Sequence, residues 1–258
     1  MVFDSTRLRS YSNAELVALL SQESLERNIS GSQGLVNLGA TSPSPPAGPV
    51  TAAARDSEHR AFSLSITPAS SLPYPEAVVE ELVRRQPTAE LLRAFNDPAD
   101  LVQLSWLEAT FERIRTPAVD SGLTLIAGQP DTLDPNFIRE PTYYALKYFA
   151  RDGKPWALRI LSCEYTRWPV SSMERAEVVP LFGEYKYYPA APNLAETIDA
   201  MFLNLGDAAM TALKQMFPEG RTDFRSPMEA ADYWRQYIGS HYKGPRDDAQ
   251  HCRAERPN

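Results

Sequence analysis

Residues 29–72 constrain the fold more than any other part of the chain. They are dominated by Ser, Pro, Ala and Gly, and they hold one aromatic residue, Phe62, with few large aliphatic side chains. Such a composition cannot bury enough apolar surface to offset the conformational entropy that is lost on ordering. We therefore place a single folded domain at residues 73–242, behind a flexible N-terminal arm formed by residues 1–72.

The arm contains one segment with helical character, at residues 12–27. Ser12 and Glu15 have the spacing of a capping box, and a stripe of leucines follows at helical intervals. A helix this short is marginal by itself in water, so the stripe should dock on its own domain or on a partner. The leucines that we expect to make this contact are Leu16, Leu19 and Leu20.

Helices are predicted at both ends of the domain. Apolar residues recur at helical spacing after Pro75, after Thr88 and between Pro98 and Pro117. Near the other end, Asn193 is suited to cap a long helix that runs to Phe217, and Ser226 with Glu229 forms a capping box that opens the last helix. Residues 243–258 are polar, and we expect a disordered tail there.

The middle of the domain, residues 122–188, favours a small antiparallel sheet. Asp152-Gly153 suits a type I′ turn, and the flanking stretches are rich in aromatic residues, which prefer strands. The predicted strands are Leu123–Ile126, a hairpin of Thr142–Ala150 with Pro155–Tyr165, and two pieces around Gly183, Val178–Phe182 and Glu184–Tyr188. The sequence thus predicts an α+β domain whose helices cover one face of this sheet.

The hairpin has a competing interpretation as a helix from Pro141 to Arg151. Pro141 would stand at the start of that helix and Gly153 just beyond its end, with Pro155 following. A helix here would make the protein mainly α.

Charge and cysteine content narrow the class of protein. The net charge is −7, and residues 73–242 hold 17 basic against 24 acidic residues, a balance that disfavours nucleic acid as a partner. The two cysteines, Cys163 and Cys252, do not suggest a disulfide framework, and Cys163 reads as a small buried hydrophobe. With no membrane-length apolar run and no signal-peptide pattern, we expect a cytoplasmic protein without membrane contact.

Aromatic residues are concentrated between Phe137 and Tyr188, where 12 of the 26 in the chain occur. Tyrosine carries an apolar ring with a polar end and is enriched at binding surfaces. One face of the predicted sheet would therefore expose aromatic side chains to a partner. The candidate binding residues are Tyr143, Tyr144, Trp156, Trp168, Tyr185 and Tyr187.

Enzymatic signatures are scarce. The chain has no glycine-rich phosphate loop, no nucleophile elbow and no zinc pattern, so no cofactor is expected. Asp131 follows a predicted strand, and Glu184 and Lys186 lie in another, so together they could imitate the carboxylates and lysine of a metal-dependent nuclease.

These observations favour a non-enzymatic interaction protein, such as an assembly component or adaptor. It would use the aromatic sheet face and the tethered N-terminal helix to bind a protein partner or a second copy of itself. The alternative is a nuclease-like enzyme built on Asp131, Glu184 and Lys186.

Overall fold

The computed structural model describes residues 5–21, 73–129, 138–168, 173–199 and 205–247. Within these ranges the protein is mainly α-helical: 73% of the residues are helical, in eleven α-helices, and there is no β-strand. The prediction of an α+β domain is therefore wrong, and the mainly α alternative describes the fold.

The first α-helix belongs to the N-terminal arm and the other ten to the domain. The helices are α1 (Asn13–Ala18), α2 (Pro73–Arg85), α3 (Thr88–Asn96), α4 (Leu101–Ile114), α5 (Pro117–Ala127), α6 (Glu140–Arg151), α7 (Pro155–Tyr165), α8 (Met173–Glu184), α9 (Ala191–Ala195), α10 (Leu205–Met216) and α11 (Pro227–His241). Short 3-10 helices at Ser5–Ser10 and Tyr188–Ala190 precede α1 and α9.

The domain helices stack in two layers, in the manner of an α-solenoid. Helices α2, α4, α6, α8 and α10 pack successively against one another, and α3, α5, α7, α9 and α11 lie beside them as the second layer. Aromatic side chains join the layers in the core: Phe95 packs on Phe111 at 5.3 Å between ring centroids, and Tyr165 on Phe182 at 6.1 Å.

Each end of the stack is covered by a terminal piece of the chain. The 3-10 helix Ser5–Ser10 packs on α2, and α1 packs on α2 and α3. At the other end, residues 242–247 run back towards α9, where Asn193 donates a hydrogen bond of 3.0 Å to the carbonyl of Asp247 and accepts one of 2.8 Å from Arg246 Nε. Asn193 was predicted to cap a long helix, but it lies inside α9 instead.

The predicted hairpin of residues 142–165 is a pair of α-helices, α6 and α7. The predicted type I′ turn at Asp152-Gly153 is wrong, because Asp152 has φ −92° and only Gly153, at φ 67°, is in the left-handed region; the two residues instead end a helix. The N–H groups of Gly153 and Lys154 bond to the carbonyls of Ala150 and Phe149 at 2.9 and 3.1 Å, the pattern of a Schellman motif. Phe149 in α6 and Trp156 in α7 contact each other across this turn, with 5.0 Å between their ring centroids.

The remaining strand predictions are also wrong, for local reasons. Leu123–Ile126 lies within α5, whose first turn is set by Pro117 and by the Thr116 hydroxyl, which accepts from the N–H of Val119 at 3.3 Å. Val178–Phe182 lies within α8, and residues 184–188 contain the end of α8 and a turn. Gly183 marks a close helix contact, because a Cβ there would lie 2.7 Å from the Cα of Ala212 in α10.

The capping box at Ser12 is confirmed, while at Ser226 the N-cap is confirmed but the reciprocal bond of the predicted box goes to the residue before it. Ser12 and Glu15 form a complete capping box at the start of α1. The Ser226 hydroxyl accepts from the N–H of Glu229 at 3.2 Å, while the Glu229 carboxylate accepts from the N–H of Arg225.

Cys163 lies in α7 and is buried, as expected, but it is disulfide-bonded. Its interpretation as a plain hydrophobe is therefore wrong. Cys252, the other cysteine of the sequence, lies outside the described residues. Disulfides are rare in cytosolic proteins. The cytoplasmic location is not tested by the structure and stays a prediction.

Candidate functional site

The N-terminal segment, residues 5–21, occupies a groove formed by α2, α3 and the start of α4, which we call the arm groove. Three of its leucines, Leu8, Leu16 and Leu20, are fully buried, while Leu19 is partly buried against the core. Fully burying one leucine contributes on the order of 2 kcal/mol, so these side chains dominate the apolar contribution to docking.

Arg85, at the end of α2, holds the main chain of the segment. Its two terminal nitrogens donate to the carbonyls of Leu8 at 3.0 Å, Arg9 at 3.2 Å and Tyr11 at 2.6 Å. A further bond of 3.3 Å reaches the side-chain carbonyl of Asn13. Because the guanidinium is a rigid planar fork of donors, one arginine fixes the path of residues 8–13, which lead into α1.

Gln103 makes the corresponding contact at the other end of α1. Its Nε2 donates to the carbonyl of Val17 at 2.9 Å, and its Oε1 accepts from the N–H of Ala99 at 2.7 Å. Asp100 caps α4 by accepting from the N–H of Gln103 at 2.7 Å. The carbonyl of Val17 lies near the C-terminus of α1 and also accepts a bond of 3.2 Å from the N–H of Leu20, so Gln103 adds a second donor to it.

Glu81 sets the orientation of Arg85. Its carboxylate accepts a hydrogen bond of 2.7 Å from Arg85 Nε and another of 2.8 Å from Arg84 Nε. These bonds lower the pKa of Glu81 to about 2, and the bond from Arg84 is the largest cause. The bond from Arg85 lowers the pKa further, whereas burial acts in the opposite direction. The Glu81 carboxylate therefore stays ionised, and Arg85 stays held, throughout the neutral and mildly acidic range.

Sequence reasoning identified the leucines of the segment but missed Arg85 and Gln103. The i,i+4 spacing of Glu81 and Arg85 is that of a helical ion pair, but it does not indicate that Arg85 contacts the segment. Nothing in the sequence indicated that Gln103 faces the segment, since that contact joins residues 86 positions apart.

A second cluster of polar groups lies between α4, α6 and α8, with Glu108, Lys147 and Tyr143 buried and Glu177 and Arg151 exposed at its edge. Lys147 Nζ lies 3.3 Å from Glu108 Oε2 and 2.9 Å from Glu177 Oε2. Tyr143 donates its hydroxyl hydrogen to the same Glu177 oxygen at 2.9 Å, and Arg151 lies 3.3 Å from Glu108 Oε1. We call these five residues the ionic cluster.

The electrostatics of this cluster follow from its burial. Burial raises the pKa of Glu108 to about 7, although Lys147 and Arg151 act in the opposite direction. Burial, followed by the charge of Glu177, raises the pKa of Tyr143 far above its ordinary value, so its hydroxyl remains a donor. Glu108 Oε1 accepts no hydrogen bond despite its proximity to Arg151.

A carboxyl group with a pKa near 7 is a common property of catalytic acids and bases. Only 5% of the surface of Glu108 is exposed, however, as is 5% of Lys147. Their polar atoms face each other and Glu177, so the geometry is that of an internal ion-pair cluster rather than of a substrate site.

Asp131, Glu184 and Lys186 are the three residues predicted for a nuclease-like site. Asp131 lies outside the described residues, and Glu184 and Lys186 are exposed at the end of α8 and in the turn that follows. Within the part of the chain that the structure describes, no three His, Cys, Asp or Glu side chains are arranged to hold a metal ion. The nuclease alternative stays a prediction without a structural observation in its favour.

The predicted aromatic binding residues do not share one face. Tyr143 and Trp168 are buried and pack edge to face at 5.5 Å, and Trp156 is partly buried against Phe149. The remaining three lie elsewhere on the stack. The ring of Tyr144 lies beneath Lys147, with 4.2 Å between the Lys147 Nζ and the centroid of the ring. Tyr185 contacts the α6–α7 turn, and Tyr187 packs on Phe182.

No protein-family model matches this chain, and no curated protein or solved structure shows significant similarity to it. Among the residues described, no helix has both the length and the apolar character to cross a membrane.

Proposed function

We propose that this protein is a non-enzymatic interaction protein, an adaptor or assembly component, that acts through the arm groove and the helical segment that occupies it. The observation that supports this most directly is the set of bonds from Arg85 and Gln103 to main-chain carbonyls of residues 8, 9, 11 and 17. Bonds to the main chain do not depend on the identity of the side chains, so the groove can accept any segment with the same backbone path.

Specificity comes from the leucines. A helix that binds in a groove is recognised through apolar anchors on one face, and the segment offers Leu16 and Leu20 at i,i+4 spacing, with Leu8 in the preceding 3-10 helix. We therefore propose that the partner is a helical segment with leucines at this spacing, either from another protein or from a second copy of this chain.

The connection between segment and domain allows both arrangements. Residues 22–72 could span roughly 170 Å if fully extended, which is more than the segment needs to reach a neighbouring copy. A tethered segment experiences an effective concentration on the order of millimolar, so its own groove is favoured at low protein concentration. Exchange between copies is then expected where copies are locally concentrated or where a partner displaces the segment.

A binding experiment with a labelled peptide of residues 5–21 tests the proposal. The peptide is titrated into the full-length protein and into the full-length double variant Leu16→Asp/Leu20→Asp, whose own segment cannot dock. We expect the double variant to bind the peptide at least about tenfold more tightly than the wild type, because the internal competitor is removed. Fluorescence anisotropy measures both affinities, and circular dichroism verifies that the double variant is folded.

The matched control adds Arg85→Ala to the double variant, which should weaken peptide binding again. If the folded double variant does not bind the peptide, or if Arg85→Ala has no effect on binding, the arm groove is not a recognition site and the proposal fails.

A further inference from the structure

The disulfide of Cys163 has a partner that the composition of the chain identifies. Cys163 lies near the end of α7, is 1% exposed and is disulfide-bonded. The sequence contains one other cysteine, Cys252, five positions after Asp247, the last residue that the structure describes. A bond within one chain can therefore form only between Cys163 and Cys252, provided that the end of the chain reaches α7.

The end of the described chain is held at α9 and at the 3-10 helix before it. Arg246 Nε donates to the side chain of Asn193 at 2.8 Å, and a terminal nitrogen of Arg246 donates to Glu196 at 2.8 Å. Asn193 donates to the carbonyl of Asp247 at 3.0 Å, and the N–H of Asp247 donates to the carbonyl of Pro189 at 3.4 Å. Asp247 is buried, so the chain still runs along the stack at this point.

Tyr187 lies between Asp247 and α7. Burial, followed by the charge of Asp247 and a hydrogen bond to its side chain, raises the pKa of Tyr187. The charge of Arg159 in α7 acts on the same hydroxyl in the opposite direction. Arg159 and Cys163 have i,i+4 spacing and therefore share one face of α7. This face of α7 is the one next to the end of the described chain.

The remaining distance is short enough for the bond to close. The 3-10 helix Tyr188–Ala190, which Asp247 contacts, also packs on α7. A helix with its side chains is about 10–12 Å across, whereas five extended residues span roughly 17 Å. The chain from residue 247 to residue 252 is therefore long enough to pass this helix and reach Cys163.

Without a covalent bond, the attachment of the C-terminal closure is weak. Arg246 and Glu196 form an exposed ion pair, with 46% and 52% of their side-chain surfaces accessible, and such pairs contribute little to stability. The bond from Asp247 to Pro189 is long. A disulfide between residues 89 positions apart restricts the open chain strongly, because it closes a long loop.

We propose that Cys163 and Cys252 form one disulfide within the chain and that this bond is a redox-sensitive clasp. It holds residues 242–247 on the stack when oxidised, and a dithiol reductant releases them. The proposal does not rest on the arm groove, so either can fail without the other.

The release is a thiol–disulfide exchange. A thiolate of the dithiol attacks one sulfur of the bond and displaces the other, which takes up a proton. The second thiol of the reductant then displaces the remaining protein sulfur. Two electrons pass to the protein, both cysteines end as thiols, and the reductant leaves as a disulfide.

Peptide mapping of the full-length protein tests the connectivity. The protein is purified without reductant, its free thiols are blocked with iodoacetamide, and it is digested with trypsin. Mass spectrometry should find residues 160–167 linked to residues 247–253, and dithiothreitol should separate the two peptides. Alkylated Cys163 and Cys252, or residues 160–167 linked to a second copy of the same peptide, would overturn the proposal.

Hydrogen exchange tests the clasp itself. The amides of residues 242–247 should exchange at least about tenfold faster in protein treated with dithiothreitol than in oxidised protein, since loss of a native disulfide is commonly more costly than this. Cys252→Ser should exchange as the reduced protein does and should not respond to dithiothreitol. It is preferred to Cys163→Ser, which would place a hydroxyl in the buried site of Cys163.

Gln250→Ala provides the matched control, because it changes the same part of the chain and keeps both cysteines. It should show the exchange of the wild type in both redox states. Protection in α4 should be the same in all of these proteins. Equal exchange of residues 242–247 in oxidised and reduced protein would show that the bond is not a clasp. Loss of protection in α4 to the same extent on reduction would show that the bond holds the whole stack, and this too would overturn the proposal.

Discussion

Glu108 and Lys147 face each other inside the helical stack, together with Glu177, Tyr143 and Arg151. Removing an ion pair from water costs several kcal/mol, which attraction between the charges offsets only in part. The raised pKa of Glu108 expresses this cost, since the protonated carboxyl is easier to bury than the carboxylate. The cluster therefore makes the stability of the protein depend on pH.

Stability should fall as the pH rises from about 4.5 to about 7, because the pKa of Glu108 is higher in the folded than in the unfolded protein. The stabilisation that comes from the proton on Glu108 is complete below the pKa of this group in the unfolded protein. It is lost as the pH rises through the pKa of Glu108 in the folded protein. A difference of this size corresponds to about 3 kcal/mol of unfolding free energy. Denaturant unfolding at a series of pH values should show this fall in the wild type and a flatter profile in Glu108→Gln.

Glu219→Gln serves as the matched control, because Glu219 is an exposed carboxylate in a turn. Its pH profile should run parallel to that of the wild type. If Glu108→Gln also runs parallel to the wild type between pH 4.5 and 7, Glu108 does not titrate as described.

At the scale of single elements, the ends of the helices are determined by residues close in sequence, whereas the conformation of the helix interiors depends on packing. Pro155 in the first turn of α7 and Gly153 after α6 define the α6–α7 turn through bonds between residues at most five apart. The body of α6 is rich in Tyr and Phe, which favour strands by at most about 1 kcal/mol each in a host protein. Packing of α6 against its neighbours in the stack overrides this preference.

The contact between α8 and α10 requires a glycine, so Gly183→Ala should destabilise the protein. Alanine favours helices over glycine by about 1 kcal/mol, but overpacking a close contact costs about 1–3 kcal/mol. The added Cβ would lie 2.7 Å from the backbone of Ala212, where no flexible side chain can yield. Thermal unfolding should therefore show a lower melting temperature for Gly183→Ala.

Gly239→Ala is the opposite case on another helix. A Cβ at Gly239 in α11 meets no atom within 4 Å, so the higher helix propensity of alanine should stabilise the protein. If both substitutions stabilise, α8 and α10 do not approach as closely as the structure has them.

At the scale of the whole molecule, the stack has two ends with different closures. Solenoid-like folds need terminal elements that cover the apolar face of the last repeat. The N-terminal segment fulfils this role at α2 and α3, and residues 242–247 fulfil it near α9. An end closure contacts few helices, so it can open without unfolding the interior of the stack.

Hydrogen exchange should detect this opening. We expect the amides of α1 to exchange faster than those of α6, which contacts four other helices of the stack. Arg85→Ala should lower protection in α1 by about tenfold or more, because hydrogen bonds from a charged donor contribute about 1.5–3 kcal/mol. Protection in α6 should not change.

Arg84→Ala provides the matched control, since Arg84 bonds to Glu81 and makes no hydrogen bond to the N-terminal segment. It should leave α1 protection close to that of the wild type. Equal loss of protection in α1 and α6 after Arg85→Ala would show instead that the segment and the stack open as one unit.

By itself, the sequence determined the features that depend on neighbours within one helical turn. The caps at Ser12 and Ser226, a chain reversal at Asp152-Gly153 and the docking of Leu16 and Leu20 were predicted, because each rests on bonds or spacings within a few residues. Of the helix predicted over residues 12–27, the described residues show only α1, Asn13–Ala18, and residues 22–27 lie outside them. Only the tertiary structure decided between helix and strand for residues 142–188. It also decided that Arg85 and Gln103 hold the N-terminal segment and that Glu108 meets Lys147, because contacts between residues 39 or more positions apart leave no periodic trace in the sequence.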